Sequence, residues 1–420
     1  GALLEALATW KGKEADKAAP PPLTETDVAL LVGGDLSGVQ DFIYTITARG
    51  ATSALRGRSF YLQLLTEVVA SYVLDALALP ATNLIYQGGG NFYLLAPVSA
   101  VSRLEEVQRE ISQILLTHHH GDLYLALAWE PLKGADFFNG RIAEKWDDLS
   151  QRQRVVKQQR FGELGEGLGL LFEPQDIGGS QDGQCQVCGR EHPQMKTEDE
   201  VRKCKPCLEF EALGDELRTA QYLTFTSTEP DGEKEIVGTW RAVLRAMAQE
   251  ATVSKEIPAE DGRQRVVLAL NDAALEALTP SFHSAVGRRF VVNVTPTITS
   301  DEIHELRDKV DDLPRPDSVK PFSAMAAQAK GIQRLGVLRM DVDNLGQLFS
   351  EGFGDQAGLS RIAGLSFAIS LFFEGWVAEI ARRINEAQQT QFRGDTLYSI
   401  YSGGDDLFFV GAWDAIVPLA

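Results

Sequence analysis

Cysteine is scarce in this chain: the 420 residues contain four, all between positions 185 and 207. So tight a cluster excludes a disulfide framework and points to a metal site. Positive charge is short as well. Lys and Arg number 40 against 59 Asp and Glu, for a formal net charge of −19 and a pI near 4.8. A surface that acidic is poorly suited to wrapping nucleic acid by itself, because phosphate contacts need cations. RNA handling would run through local basic strips or basic partner subunits. No apolar run approaches the length of a membrane span. The opening "GALLEALATWKGKEADK" lacks the basic start, apolar block and cleavage site of a signal peptide. The expected location is the cytoplasm.

What is present is ordinary for a globular chain: 44% hydrophobic and 24% charged residues. Length suggests about three domains. Residues 1–27 read as a stub, "LLEALATW", followed by a Pro-rich linker. From 28 to 134 the pattern runs strand, helix, strand, strand, helix, strand. "VALLVGGDLSGVQDF" is the first strand and its turn, "LRGRSFYLQLLTEVVASYVLDALAL" has helical spacing, and "NLIYQGGGNFYLLAP" is a Gly-rich hairpin. "RLEEVQREISQILLTH" and "LYLALAWEPL" supply the second helix and last strand. That order is ferredoxin-like and also underlies polymerase palms and nucleotide cyclases.

Residues 321–420 repeat the theme. "RLGVLRMDVDNLGQLF" is a strand ending in acids, 359–387 is a long amphipathic helix, and "TLYSIYSGGDDLFFVG" is again a hairpin. Tyr86–Leu95 aligns without a gap on Tyr401–Val410, setting Gly90 on Asp405 and Asn91 on Asp406. Asp35-Leu36-Ser37 falls on Asp341-Val342-Asp343. The fold expected is therefore α+β, with two ferredoxin-like palm domains, the first degenerate in its acids. Between them lie a helical connection with the cysteine module (135–210) and a mixed α/β linker domain (211–320).

Cys185 and Cys188 form one C-x2-C knuckle, and Cys204 and Cys207 a second. Two such knuckles suit one closed, tetrahedral, structural zinc. His192 is a spare ligand that a four-thiolate site does not need.

Asp341 and Asp343 stand at i, i+2 on a strand and are expected to share a face. Two carboxylates held together repel unless cations neutralise them. Asp405 and Asp406 sit at the tip of the neighbouring hairpin, where Gly403 and Gly404 let a triphosphate approach the backbone. Together the four acids have the chemistry to hold two Mg2+ or Mn2+ ions, which would activate a 3′-hydroxyl and clamp the attacked α-phosphate. Asp405 with Asp341 is the expected main ligand pair.

The ordered set "GDLSGVQDFIYTI", "LRGRSFYLQLL", the two knuckles, "RLGVLRMDVDNLGQLFS" and "YSGGDDLFFVG" resembles the large, polymerase/cyclase-like subunit of type III CRISPR effector complexes, most closely the type III-A (Csm) branch. The resemblance covers about 28 to 415. It implies a subunit that, with target RNA paired to the guide crRNA and other effector subunits around it, converts ATP to cyclic oligoadenylates. Family members usually begin with an HD nuclease domain. This chain has no His-Asp dipeptide, so no DNase activity is expected of it. It also stops short of the second palm's last strand, an expected truncation or split.

Further candidates are weaker. Arg56, Arg58 and Ser59 are read as opening a helix, a setting that suits a triphosphate. Ser402, beside the hairpin glycines, is a candidate for reading a base edge. "RQRVVKQQRF" (152–161) is a basic strip that would contact RNA or serve as a solvated helix face. His118-His119-His120 reads as a solvated turn. The competing functions are a silent scaffold or RNA-capture subunit, a GGDEF-like cyclase, and a template-dependent polymerase.

Overall fold

The computed structural model describes residues 25–47, 50–138, 141–172, 183–198, 200–230, 236–311, 313–343, 348, 352–404 and 406–420. The N-terminal stub and Asp405 lie outside the described residues.

The first unit is built on β1 (Asp27–Ser37), α1 (Val39–Ile43), α2 (Ala51–Ala76), β2 (Leu84–Gly88), β3 (Asn91–Ala96), α3 (Val101–His119) and β4 (Tyr124–Lys133). Its antiparallel sheet runs β2-β3-β1-β4, the ferredoxin-like order anticipated from the alternation of elements. β1 is central and its residues Leu30, Leu31 and Val32 are buried. α4 (Ile142–Gln158) closes one face, with Trp146 and Leu149 against Leu31 and Leu132.

Next come the hairpin β5 (Met195–Glu198) and β6 (Val201–Cys204), then α5 (Lys205–Leu217). A second four-stranded sheet follows, β10-β9-β7-β8, made of β7 (Tyr222–Ser227), β8 (Gln249–Ser254), β9 (Arg265–Leu270) and β10 (Ser284–Arg289). α6 (Trp240–Ala246) lies between β7 and β8 in the chain. α7 (Ser300–Leu306) opens with a Thr299/Glu302 capping box, and α8 (Phe322–Ala327) leads into the last unit.

That unit contains β11 (Leu335–Asp341), α9 (Leu359–Leu371), a π-helical turn (Phe372–Trp376), α10 (Val377–Gln388), β12 (Leu397–Gly403), β13 (Asp406–Ala412) and α11 (Trp413–Leu419). Its strand order, β11-β13-β12, repeats that of β1-β3-β2. The repeat extends to register. Asp35 lies across from Asn91, and Asp341 across from Asp406. Gly88 closes on Asn91, and Gly403 on Asp406. Each hairpin slips register at the equivalent place, between Leu84 and Tyr86 and between Ser399 and Tyr401. A bulge repeated at one position is a shared structural device, since it re-aims the residues beyond it.

The two units are not separately cored. One hydrophobic cluster runs from Leu30 and Val32 through α2 to Tyr398, Ile400 and Val410 of the second unit. α2 is the spine of that cluster: 17 of its 26 residues are buried, so it is covered on nearly every side. Side chains such as Leu64, Leu65 and Val68 each contribute about 1.5–3 kcal/mol by leaving water. Glycines set its closest approach to α5. A Cβ on Gly57 would sit 1.8 Å from the Phe210 carbonyl oxygen, and one on Gly214 would sit 2.0 Å from that of Ser53.

The expectation about apolar runs needs one correction. Leu359–Gln388 is, by length and composition alone, apolar enough to cross a membrane. One face packs on the β11-β13-β12 sheet through Phe373, Val377 and Ala381, whereas Phe367, Phe372 and Trp376 are exposed.

Candidate active site and metal centre

The two Gly-rich hairpins meet tip to tip. Gly404 adopts a left-handed φ of +69°, and a Cβ there would lie 2.4 Å from the Gly89 Cα. Only glycine meets both demands, a positive φ and backbone in contact with backbone. Gly89 and Gly90 are also left-handed, at φ 60° and 82°, as a two-residue primed turn requires.

Where the tips meet, an open cavity of about 140 Å³ is lined by both units. Gly88, Gly89, Gly90 and Tyr44 come from the first; Tyr401, Gly403, Gly404, Asp406 and Glu374 come from the second. α2 contributes Ser59, Gln63 and Thr66 to the wall. Asp406 sits directly across the ladder from Asp341, so their side chains emerge on one face of the sheet. The Tyr401 hydroxyl donates to Asp406 Oδ2 at 2.9 Å. Burial, and then the Asp406 charge, push the Tyr401 phenol far above its usual range, so it stays protonated as a donor.

Several expectations drawn from the residues alone change here because of tertiary packing. β11 ends at Asp341, so Asp343 lies beyond the strand, where strict strand alternation no longer sets its direction. Both residues are solvent-exposed. The residue that faces Asp341 is Asp406; Asp405, the partner expected from sequence, lies outside the described residues. Ser402 is buried and its hydroxyl donates to the Phe373 carbonyl at 2.6 Å, so it does not line the cavity between the hairpins.

The arginines are the clearest correction. The helix starts at Ala51, so Arg56 and Arg58 lie in its second turn and beyond, away from the N-terminus. They are only 5% and 3% exposed and do not line the cavity. Arg56 donates to the carbonyls of Val294 and Ser399 and stacks over Tyr398. Arg58 donates to the Phe42 carbonyl and to Cys207 Sγ. Of that trio only Ser59 reaches the cavity.

Sequence reasoning missed Gln63, Arg289 and Glu374. Glu374 sits in the π-helical turn, a distortion frequent at functional sites. Burial raises its pKa, with Arg289 pulling it down and Glu67 pushing it up. Arg289 itself pairs with Glu67. No periodicity marks these residues. Tyr401 was visible as the counterpart of Tyr86 in the repeat.

The histidine triplet is no solvated turn. His118 and His119 are buried, and His119 Nε2 lies 2.6 Å from the Tyr61 hydroxyl. Burial, with His120 next, holds His118 down at about 4; His119 is pushed further below its usual range. Both are neutral core side chains at neutral pH. The basic strip is partly consumed internally too: Arg152 pairs with Glu130, Lys157 with Asp35, and Arg160 donates to the Gly121 carbonyl.

The four cysteines do converge. All four Sγ atoms lie within 4.8 Å of one another, with Cys185–Cys207 at 3.9 Å and Cys188–Cys204 at 3.8 Å. A tetrahedral zinc with Zn–S near 2.3 Å requires sulfur separations of about 3.8 Å, so the thiolate set fits that ion. The backbone N–H of Cys204 donates to Cys185 Sγ at 3.3 Å.

Comparison with known proteins gives concordant matches. A family model described as Csm1 subunit domain B matches residues 28–174, and one described as Cas10/Cmr2, second palm domain, matches 334–420. Relatives named CRISPR system single-strand-specific deoxyribonuclease Cas10/Csm1 (subtype III-A) include those of Methanocaldococcus jannaschii and Mycobacterium tuberculosis. The first is 30% identical over 94% of this chain and 50% of its own length; the second is 32% identical over 92% and 46%. The chain thus spans about half the length of the curated relatives it matches. Two solved structures share the fold at 24% identity, each covering 99% of this chain and 49% of its own. They are a Csm1–Csm4 cassette in complex with one ATP (TM-score 0.67) and one in complex with cA3 (TM-score 0.66). The two domain models, matched in chain order, and these relatives agree that this chain is similar, over nearly all of its length, to the Cas10/Csm1 subunits of type III CRISPR systems.

Proposed function

We propose that this chain is the nucleotidyl-transferring part of a type III-A effector subunit. In complex with partner effector subunits, crRNA and target RNA, it would join ATP through 3′–5′ bonds into cyclic oligoadenylates, each 3′-hydroxyl attacking an α-phosphate and displacing pyrophosphate. The observation that carries this reading is the cross-strand pair Asp341/Asp406, set beside the cavity where two glycine hairpin tips touch.

Asp341 and Asp406 supply carboxylate oxygens on one face of a sheet, a donor set that suits hard divalent cations. Asp343 and Asp405 would complete the ligand set. Bound Mg2+ or Mn2+ would supply charge neutralisation at the α-phosphate and lower the pKa of the attacking 3′-hydroxyl. The chain's own residues do the rest. Gly403, Gly404 and the facing Gly88–Gly90 leave the backbone bare, so phosphate or ribose can approach without steric conflict. Tyr401 holds Asp406 in one orientation through its hydroxyl. Ser59, Gln63 and Glu374 offer hydrogen-bonding groups along the wall.

The cysteine module is read as a closed structural zinc site. The reading places the protein in the cytoplasm. The deoxyribonuclease in the relatives' names belongs to proteins about twice this length. Among the described residues, the one group of three or more His, Cys, Asp or Glu at metal-binding distance is the cysteine cluster.

The test is to incubate the assembled complex with ATP, Mg2+ or Mn2+, and target RNA. Oligoadenylate should form with the native chain and be lost in the Asp405→Ala/Asp406→Ala variant. Equal product from that variant would leave the scaffold reading in its place.

A further inference from the structure

Arg58 has an unusual setting for a cation. It is 3% exposed, and its guanidinium lies between the faces of Phe42 and Phe210, 4.9 and 4.8 Å from the two ring centroids. Its Nη1 donates to the Phe42 carbonyl and its Nη2 to Cys207 Sγ, each at 3.3 Å, while its Nε is buried without a partner. Among the described residues no carboxylate forms an ion pair with it. A buried guanidinium cannot shed its charge, and a buried charge without a counter-charge is strongly unfavourable. The negative group within reach is the sulfur cluster. Four thiolates around a divalent zinc would carry a net charge of about −2, which needs a cation in turn.

We propose that Arg58 is the outer-sphere counter-ion of the four-cysteine metal site, a positioning residue that makes metal loading and the seating of α2 interdependent. The proposal rests on the zinc reading above. The coupling has a structural path. Cys204 caps α5 and Cys207 lies in its first turn. α5 meets α2 at the Gly57 and Gly214 contacts, too close for any side chain to buffer a shift. The residue after Arg58 is Ser59, and one turn on is Gln63; both line the cavity between the hairpins. Loss of the metal would leave Arg58 buried against neutral thiols, and the relief available is movement of α2 against α5.

Three forms of the 420-residue chain separate the possibilities: native, Arg58→Met, which keeps bulk without charge, and Arg58→Lys, which keeps charge without the planar fork. Zinc content is measured by elemental mass spectrometry, zinc affinity by competition with a chromophoric chelator, and thermal unfolding with and without chelator. The native chain should hold one zinc. Arg58→Met should bind it about tenfold or more weakly, the usual range for losing an outer-shell partner, and Arg58→Lys should fall between. Chelation should lower Tm more in the native chain than in Arg58→Met, because only the native chain then buries an orphaned cation. Equal affinity and an equal Tm drop in Arg58→Met would overturn the role of Arg58 while leaving the zinc site standing. A native chain without zinc would overturn the metal reading and this proposal with it. If Arg58→Met does not fold, Co2+-loaded Arg58→Lys decides: a shifted thiolate-to-cobalt charge-transfer band supports the N–H···S contact, and an unchanged band refutes it.

Discussion

The first and second palms share strand order, register and even the position of a bulge, and differ where charge is concerned. In the first, the acid at the end of the central strand, Asp35, lies across from Asn91 and is paired with Lys157 of α4. In the second, Asp341 lies across from a second acid, Asp406, and no ion pair reaches Asp341 among the described residues. The same backbone thus handles the same strand-end carboxylate in two ways. One palm neutralises it with a lysine from its own chain and an amide in place of the second acid. The other gathers acids, an arrangement that calls for cations from solution. The comparison teaches that the hairpin glycines serve the fold in both copies, whereas the acids are separable from it.

The comparison is broken or sharpened most strongly by activity. Asp341→Asn and Asp406→Asn should each cut oligoadenylate formation by the assembled complex about 100-fold or more, the scale expected when a metal's charge stabilisation is lost. Asp35→Asn should leave it within a few-fold. Labelled-ATP conversion measures all three, and a loss at Asp35 equal to that at Asp341 would mean that the first palm also takes part in the chemistry.

The hairpin tips come next. Gly404→Ala must bear a positive φ and a backbone clash with Gly89, and should cost about 2–4 kcal/mol in urea unfolding. Gly90→Ala has the positive φ but only ordinary contacts at 3.7 Å and beyond, so about 1–2 kcal/mol is expected. Equal costs would show that the tips do not press together.

The smallest effect concerns the internal ion pair. Lys157→Met should destabilise by about 1 kcal/mol at neutral pH, a modest figure because the lysine side chain is 35% exposed. Burial raises the Asp35 pKa above 3.8, against the pull of Lys157. A neutral Asp35 needs no cation, so the penalty should shrink as pH falls toward that raised value. Unfolding curves in neutral and mildly acidic buffer check this; a penalty that does not change with pH would assign Lys157 a packing role.

Both hairpins, α2, α3, β4 and the cysteine knuckles were legible in the sequence because each is written in local terms, as a glycine pair between β-branched and aromatic runs, a helical apolar spacing, or a C-x2-C turn. The gapless match of Tyr86–Leu95 to Tyr401–Val410 even anticipated the shared register of Asn91 and Asp406. Where reading failed, the missing information came from far away in the chain. Arg56 and Arg58 look like any helical arginines until Ser399, Phe210 and Cys207 close over them. His118 and His119 look like a polar turn until Tyr61, Phe42 and the backbone N–H of Gly238 enclose them.

From its sequence alone this chain is a pair of palm-like repeats around a four-cysteine module, with the full set of four acids in the second copy and one of them, Asp35, kept in the first. Periodicity, turn chemistry and ligand spacing act over a few residues, and they survive any tertiary arrangement that keeps those elements. The tertiary structure alone decided which acid faces Asp341, which lysine quiets Asp35, and that an arginine thought to meet phosphate is buried against sulfur. Cross-strand register and burial are set by surfaces brought together from far apart in the chain, and a charged side chain carries no local mark of which surface will cover it.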